Sequence, residues 1–360
     1  MVEELRVRNQ SEAGVGMVER VSSARGDHVI ERISLQGIRG IKSGEFSGLT
    51  AMTVLVGRNG CGKSTVLDAL SIAADAQPIQ RIADSISRRG QDDEHLRVEW
   101  LLYDRGRSKR SKIEISGGGA NRSVTIAFAE NALQVSAGHG GLLTSVGGVQ
   151  GKRSQIGSSS SSSGLGPPQP VNVRFLDQRS GSKSRLPPTE LYSEARRTGR
   201  KVEVLQILKS LVPTADDLEI LTLDGLPTLH VSTSTASVPL SLSGDGVRNS
   251  VVLSLDLGVP DNSLILVEEP ETHLHFGAMQ RVAEAISYTV APKGVATNQV
   301  VIATHSVEFI DALVSVCAKR GLQELLSVHR LSLVDGLLTT SSFSGDLVTN
   351  ARIGAEFELR

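Results

Sequence analysis

Apolar residues follow two patterns along the chain. Continuous apolar runs occupy residues 52–56, 264–267 and 300–304, and such runs are typical of strands that a parallel sheet buries on both faces. Helical periodicity follows these runs at 63–74, 277–291 and 307–320. This alternation of buried strands and helices predicts an α/β fold.

Further strands and helices are expected outside these runs. Residues 29–49 alternate in part between apolar and polar side chains, which predicts two antiparallel strands leading into the strand at 52–56. An Asp-Gly pair between apolar segments predicts a hairpin turn. The other predicted strands lie at 96–103, 112–115, 123–128, 171–176, 218–223, 228–232 and 327–343, with turns at Asp224-Gly225 and Asp335-Gly336, and further helices lie at 79–88, 191–212 and around 247–255.

Two segments have the composition of disordered chain. Residues 1–27 are polar and aperiodic, and they predict a flexible leader. Residues 138–170 form a Gly/Ser/Pro-rich insertion that includes six consecutive serines. Because such segments bury little apolar surface, we expect the insertion to be flexible. No sustained heptad repeat occurs, which argues against a long coiled-coil arm.

A glycine-rich turn follows the strand at 52–56 and opens a helix. It fits the P-loop pattern G-x-x-x-x-G-K-[ST], and the strand before it and the helix after it make the match specific. Glycines let backbone N–H groups face a polyphosphate, Lys63 reaches the β- and γ-phosphates, and the Ser64 hydroxyl ligates Mg²⁺. The turn comprises Gly57, Arg58, Asn59, Gly60, Cys61, Gly62, Lys63, Ser64 and Thr65.

Acids and a histidine follow the other two buried strands. Glu268 and Glu269 come directly after the run at 264–267, which is the Walker B pattern. We assign Glu268 to the metal ion and Glu269 to the attacking water. His305 follows the third run and can hydrogen-bond the γ-phosphate or the water, although a lone histidine at a strand end is more often structural. Lys63, Glu269 and His305 are therefore the candidate catalytic residues.

Two other segments each allow two interpretations. Ser243, Gly244, Asp245 and Gly246 form a small-residue turn that opens a helix, and they either present N–H groups and a hydroxyl to a phosphate or act as an ordinary helix cap. The basic segment at 104–112 is either a nucleic-acid contact or a solvated hairpin tip.

Charge and cysteine content exclude several classes of protein. The formal net charge of −1 creates no global field towards nucleic acid or membranes. No apolar run reaches the roughly 18 residues of a membrane span, and the N-terminus does not resemble a signal peptide. The two cysteines, Cys61 and Cys317, argue against a disulfide framework. We therefore expect a cytoplasmic protein with no membrane partner.

Together the motifs resemble those of the ATP-binding-cassette (ABC) ATPases, in the branch that contains SMC, RecF and OLD-family proteins. The similar segments are GRNGCGKST, LSLSGDG, LILVEEPETHLH and VVIATHS, in this order. The closest likeness is to stand-alone OLD-like ATPases with an AAA domain. The resemblance runs from about Val29 to Arg360, without the insertion at 138–170. It implies one ABC-type domain over 28–360, with a P-loop NTPase fold, a mixed central sheet flanked by helices and an antiparallel β subdomain, and with ATP and Mg²⁺ as ligands.

The resemblance also implies a composite site. Two copies would meet head-to-tail, each holding ATP between its own P-loop and the Ser243–Gly246 turn of the other copy, with residues 271–275 crossing the interface. The sequence departs from the common pattern at Asp245, which brings a carboxylate near the phosphate site, and at Glu268, where many relatives have aspartate. Gln178 is the candidate for the glutamine loop.

The function implied is ATP hydrolysis that serves DNA repair or metabolism, or anti-phage defence. The expected partners are a second copy of the chain, DNA, and a nuclease or effector protein, since the chain has no room for the Toprim domain of OLD nucleases. One alternative is a nucleotide-switched scaffold with little turnover. A second alternative is the ATPase subunit of a transporter, against which the atypical LSGDG segment counts.

Overall fold

A computed structural model describes residues 30–89, 101–106, 110–117, 120–129, 132–139, 142–150, 172–177, 186–272, 276–292 and 297–353. The strands are β1 Arg32–Ile38, β2 Ile41–Ser47, β3 Met52–Val56, β4 Arg110–Gly117, β5 Ala120–Ala129, β6 Ala132–His139, β7 Leu142–Gln150, β8 Asn172–Asp177, β9 Asp217–Leu223, β10 Leu226–Ser232, β11 Ser237–Pro239, β12 Ser263–Glu268, β13 Gln299–Ala303, β14 Leu326–Val334 and β15 Leu337–Ser344. The helices are α1 Lys63–Ala74, α2 Pro78–Arg89, α3 Pro188–Arg197, α4 Lys201–Leu211, α5 Asp245–Gly258, α6 Phe276–Val290, α7 Val307–Arg320 and α8 Gly345–Ile353.

One large mixed sheet carries most of the strands. Its twelve strands have the order β7-β6-β5-β4-β1-β2-β15-β14-β3-β13-β12-β8. The strands from β14 to β8 pair in parallel, and those from β7 to β2 pair antiparallel. β15 joins the two halves, since it is antiparallel to β14 and parallel to β2. The expected α/β class, with a mixed central sheet and an antiparallel part, is confirmed.

The parallel strands are buried on both faces. In β3, Leu55 packs into the core that contains α1, whereas Met52, Val54 and Val56 pack on the opposite face against α6 and α7. β12 and β13 divide their apolar side chains between the same two cores. This double burial explains why these strands are continuous apolar runs in the sequence.

A third core lies among α3, α4, α5 and the small sheet β11-β10-β9. Gly258 at the end of α5 allows close packing on α4, because a Cβ atom there would lie 2.8 Å from the Cα of Val204. Gly199, in the left-handed region with a φ of 72°, separates α3 from α4. The stretch expected to be mostly helical, 191–212, therefore forms two helices.

The antiparallel half differs from the sequence-based expectation in two places. The strand predicted at 96–103 ends in a 3₁₀ turn at Tyr103–Gly106, because Asp104 adopts a φ of 52° that no strand residue has; residues 96–100 lie outside the described part. Residues 138–139 and 142–150 fall within the flexible insertion expected at 138–170, but they belong to β6 and β7, which pair with each other. Backbone pairing at a sheet edge needs few apolar side chains, which explains this departure. Within the described residues, no helix is long and apolar enough to cross a membrane.

Candidate functional site

Strand register brings the predicted motifs together at the carboxyl ends of three neighbouring parallel strands, which form one edge of the sheet. β13 lies between β3 and β12, and Ala303 near its end pairs with both Leu55 and Glu268. The amide of Thr304 donates to the carbonyl of Leu55 at 3.1 Å, and the amide of Glu269 donates to the carbonyl of Ala303 at 2.8 Å. The chain segments that follow the three strands therefore start side by side, with the histidine segment between the other two.

The turn from Gly57 to Thr65 forms a tight cradle between β3 and α1. Gly57 has a φ of 138°, and a Cβ atom there would lie 2.5 Å from the carbonyl oxygen of Leu331 on β14. Gly62, the residue before α1, has a φ of 97°. Gly60, at the middle of the turn, has no atom within 4 Å of its virtual Cβ. The turn is thus fixed at its ends and open at its centre, which suits a phosphate group.

Lys63 and Ser64 occupy the first turn of α1. The ammonium group of Lys63 is buried and donates to the carbonyls of Gly57 at 2.7 Å and Arg58 at 3.2 Å. Ser64 and Thr65 are half-buried beside it. A cation, two hydroxyls and the positive end of a helix dipole therefore meet in one turn.

Two consecutive acids end the Walker B strand. Glu268 is the last residue of β12, and Glu269 adopts a φ of 47° in the left-handed region. A residue other than glycine in this conformation is uncommon, and such strain often occurs at active sites. The chain therefore turns directly after the strand, at the second of the two acids.

His305 lies next to two carboxylates. Its Nδ1 atom is 3.8 Å from Oε1 of Glu269 and 3.4 Å from Oε1 of Glu271, and 54% of its side chain is exposed. The same Glu271 oxygen accepts hydrogen bonds from the Thr304 hydroxyl at 2.7 Å and the His305 amide at 3.1 Å. The structure therefore brings His305 and Glu269 together. It adds Thr304 and Glu271, to which the family resemblance assigns only a place in an interface loop.

The Ser243–Gly246 turn belongs to the part of the molecule that surrounds the third core. It opens α5 without a side-chain cap, and Gly244, Asp245 and Gly246 are exposed. The Ser243 hydroxyl donates to the carbonyl of Pro239 at 3.2 Å, and Arg248 pairs with Asp245 at 2.8 Å. The described hydrogen bonds of this turn therefore stay within its own subdomain, and Arg248 offsets the charge of Asp245.

Several predicted residues lie outside the described part of the chain. These are Gln178 and residues 273–275. Gln178 would directly follow Asp177, which pairs with Glu268 across β8 and β12. Within the basic segment at 104–112, residues 107–109 are also outside it. Arg110 is exposed on β4, and Lys112 pairs with Glu114 at 2.8 Å.

Solved structures with a similar fold are heads of SMC proteins. One is the SMC head bound to the C-terminal winged-helix domain of ScpA, with a TM-score of 0.57 and 14% identity over 88% of this chain and 98% of that one. A second is an SMC head domain with an extended coiled coil, bound to the C-terminal domain of ScpA derived from Pyrococcus furiosus, with a TM-score of 0.55 and 12% identity over 91% and 99% of the two chains. At this identity the likeness concerns the fold.

Sequence comparison gives relatives of the same branch and a family. The DNA replication and repair protein RecF of Stenotrophomonas maltophilia (strain R551-3) is 33% identical over 72 residues, and that of Xanthomonas axonopodis pv. citri (strain 306) is 34% identical over 74 residues. These matches cover 20% of this chain, and the chain spans only 20% of each relative. Residues 52–311 match the family described as "AAA domain, putative AbiEii toxin, Type IV TA system". The chain belongs to this family, and its fold is similar to that of the SMC heads.

Proposed function

We propose that this protein binds and hydrolyses ATP with Mg²⁺ and that two copies close on the nucleotide head-to-tail. The observation that carries the proposal is the shared register of β3, β13 and β12, through which the P-loop, His305 and the two acids meet at one sheet edge. Phosphoryl transfer depends mainly on positioning and on charge stabilisation, and this edge offers groups for both.

Each residue has a role in this proposal. The Gly57–Thr65 cradle and Lys63 bind the phosphates, while the Ser64 hydroxyl and the Glu268 carboxylate hold Mg²⁺. The donor set fits this ion, since a hydroxyl and a carboxylate are oxygen ligands of the kind it prefers. When bound, Mg²⁺ neutralises charge on the phosphates. Glu269 orients and deprotonates the attacking water, and His305 hydrogen-bonds the water or the γ-phosphate.

The dimer completes the site in this proposal. The turn from Ser243 to Gly246 is exposed at the start of a 14-residue helix. In a head-to-tail pair, this turn of one copy faces the P-loop of the other and contacts the γ-phosphate. Hydrolysis removes that phosphate and separates the copies, so ATP works as a timed clamp.

The biological setting is part of the proposal. The names of the RecF relatives concern DNA replication and repair, and the family description concerns a toxin system. We propose a role in DNA repair or anti-phage defence, with an effector protein as partner. Phosphate release measured with and without duplex DNA tests the DNA part, and stimulation by DNA is the expected result.

One set of variants tests the chemistry. Glu269→Gln removes the general base, so turnover should fall at least about 100-fold while ATP stays bound and the dimer accumulates. Lys63→Ala should lower both ATP binding and turnover by about 100-fold or more. The measurements are steady-state phosphate release, and molar mass in solution with and without ATP.

Glu114→Gln on β4 is the matched control, because it makes the same substitution at a partly exposed position on a strand that four other strands separate from β3, and it should leave turnover unchanged. A Glu269→Gln protein that stays monomeric with ATP and hydrolyses at the normal rate contradicts the mechanism. Tight ATP binding without turnover in the unsubstituted protein would instead favour the nucleotide-switched scaffold.

A further inference from the structure

The loop after β12 and the loop after β13 are joined by one buried carboxylate. Glu271 lies two residues beyond Glu269, and its Oε1 atom accepts from the hydroxyl of Thr304 at 2.7 Å and the amide of His305 at 3.1 Å. These two donors belong to consecutive residues. Because one oxygen accepts both hydrogen bonds, it fixes the direction in which the chain leaves β13. It thereby also fixes the position of the His305 backbone, from which the imidazole extends.

The same oxygen also approaches the imidazole ring. Oε1 of Glu271 lies 3.4 Å from Nδ1 of His305, closer than Oε1 of Glu269 at 3.8 Å. A carboxylate beside one ring nitrogen favours the tautomer with hydrogen on that nitrogen. Nε2 is then left to act towards a phosphate or a water molecule.

Burial of the second oxygen of this carboxylate has a cost in stability. Glu271 is 5% exposed, and its second oxygen, Oε2, is buried without a hydrogen-bond partner among the described residues. An unpaired buried carboxylate oxygen costs free energy on folding, and this cost offsets part of the stability that the two hydrogen bonds to Oε1 provide. Nearby Glu308 shows the ordinary alternative, since it is exposed and accepts from the Ser306 hydroxyl at the start of α7.

We propose that Glu271 is a positioning residue that acts through His305. Its carboxylate fixes the backbone, the ring orientation and the tautomer of the histidine, and it keeps the ring in a constant relation to the general base Glu269. This inference rests on the proposed ATPase function. It adds a contact between the two loops that does not involve the nucleotide.

A double-mutant cycle tests the proposal. Glu271→Ala should lower kcat about 10-fold to 100-fold, the usual effect of removing a group that orients a functional residue, while the Kd for ATP changes less than about twofold. In a His305→Ala background the same substitution should have almost no further effect, because the group through which it acts is gone. Glu271→Gln retains an acceptor for both donors and should recover most of the lost rate.

The measurements are kcat and KM from phosphate release, ATP binding by calorimetry, and thermal melting of each variant. Glu308→Gln is the matched control and should change kcat less than about twofold. Additive losses in the double variant, or a kcat for Glu271→Gln and Glu271→Ala equal to that of the unsubstituted protein, overturn the inference. If Glu271→Ala fails to fold, Glu271→Asp alone and combined with His305→Ala provides the same cycle, because its carboxylate is one methylene shorter and loses the contacts with Thr304 and His305. Failure of the proposed function looks different, since the unsubstituted protein would then release no more phosphate than Lys63→Ala.

Discussion

Two turns of this chain are built from small residues and open a helix, yet their surroundings differ. The turn at 57–65 is walled by β14 and encloses the buried Lys63. The turn at 243–246 opens α5, and three of its four residues are exposed. Local sequence therefore produces a helix start in both places. The turn at 57–65 is a preformed cradle only because strands distant in sequence pack around it. The turn at 243–246 is exposed and can contact the surface of a second molecule.

The helices behind the two turns differ in the same way. On α1, Asp68 is 1% exposed and forms ion pairs with Arg39 and Arg88. Arg39 also donates to Ser85, and the Arg88 guanidinium lies 3.6 Å from the centroid of the Phe175 ring. The P-loop helix is thus tied to the β1–β2 turn, to α2 and to β8. On α5, Asp245 is 83% exposed and pairs with Arg248 one turn further along the same helix.

The largest effect on stability is expected when the ion pairs of Asp68 are removed. Asp68→Ala removes the carboxylate that pairs with two largely buried guanidinium groups, and the free energy of unfolding should fall by about 3–5 kcal/mol. Asp245→Ala removes an exposed pair and should cost about 0.5 kcal/mol or less. Urea denaturation followed by circular dichroism measures both. Equal losses for the two variants would show that the two helices are supported alike.

Glycine substitutions compare the turns themselves. Gly57→Ala meets a φ of 138° and the Leu331 carbonyl oxygen 2.5 Å away, so the cradle must open. We expect ATP affinity to fall about 100-fold, which corresponds to about 2.7 kcal/mol. Calorimetric titration with ATP is the measurement.

Gly244→Ala is the matched control, since its φ is −60° and its virtual Cβ has no atom within 4 Å. ATP affinity of the isolated protomer should change less than about twofold. Gly60→Ala separates the two causes, because it combines a φ of 78° with open space and should lose less affinity than Gly57→Ala. Equal affinities for the Gly57 and Gly244 variants would contradict the comparison.

The grouping of the motifs at one edge of the sheet could be predicted from the sequence because each motif follows an apolar run. A continuous run of this kind is a buried parallel strand, and parallel strands end at a common edge. The segments after 52–56, 264–267 and 300–304 could therefore be grouped from their hydrophobic pattern alone. The hairpins at Asp224-Gly225 and Asp335-Gly336 were predictable for a similar reason, since both residues of each pair adopt the positive φ that these turns require.

The contacts that join residues distant in the chain could not be predicted from the sequence. Glu271 and Thr304 are 33 positions apart, and no spacing rule predicts that one carboxylate caps the neighbouring strand. The Asp68 network could not be predicted for the same reason, since it assembles side chains from two helices, one strand and the β1–β2 turn. β7 was missed because an edge strand can pair through its backbone while its composition suggests a flexible segment.

A buried histidine on β14, the strand that walls the cradle, makes the stability of the protein depend on pH. His329 is fully buried on β14 and pairs in register with Leu55 of β3. Its Nε2 lies 3.2 Å from the carbonyl of Gly48, and its Nδ1 lies 2.8 Å from the Ser342 hydroxyl. Burial lowers the pKa of His329 from its ordinary value of 6.5, and the hydrogen bond to Gly48 opposes this only in part.

The smallest expected effect follows from the sign of this shift. Below pH 6.5 the unfolded chain binds a proton that folded His329 does not, so stability falls as the pH drops from 6.5 towards the lowered pKa. The slope reaches at most about 1.4 kcal/mol per pH unit, and the contribution levels off above about pH 7, where the unfolded histidine also becomes neutral. His329→Gln should flatten the curve between pH 6.5 and 5.5 while leaving the curve above pH 7 parallel. Urea midpoints across this range measure it, and an unchanged slope in the variant would mean that another group governs the acid response.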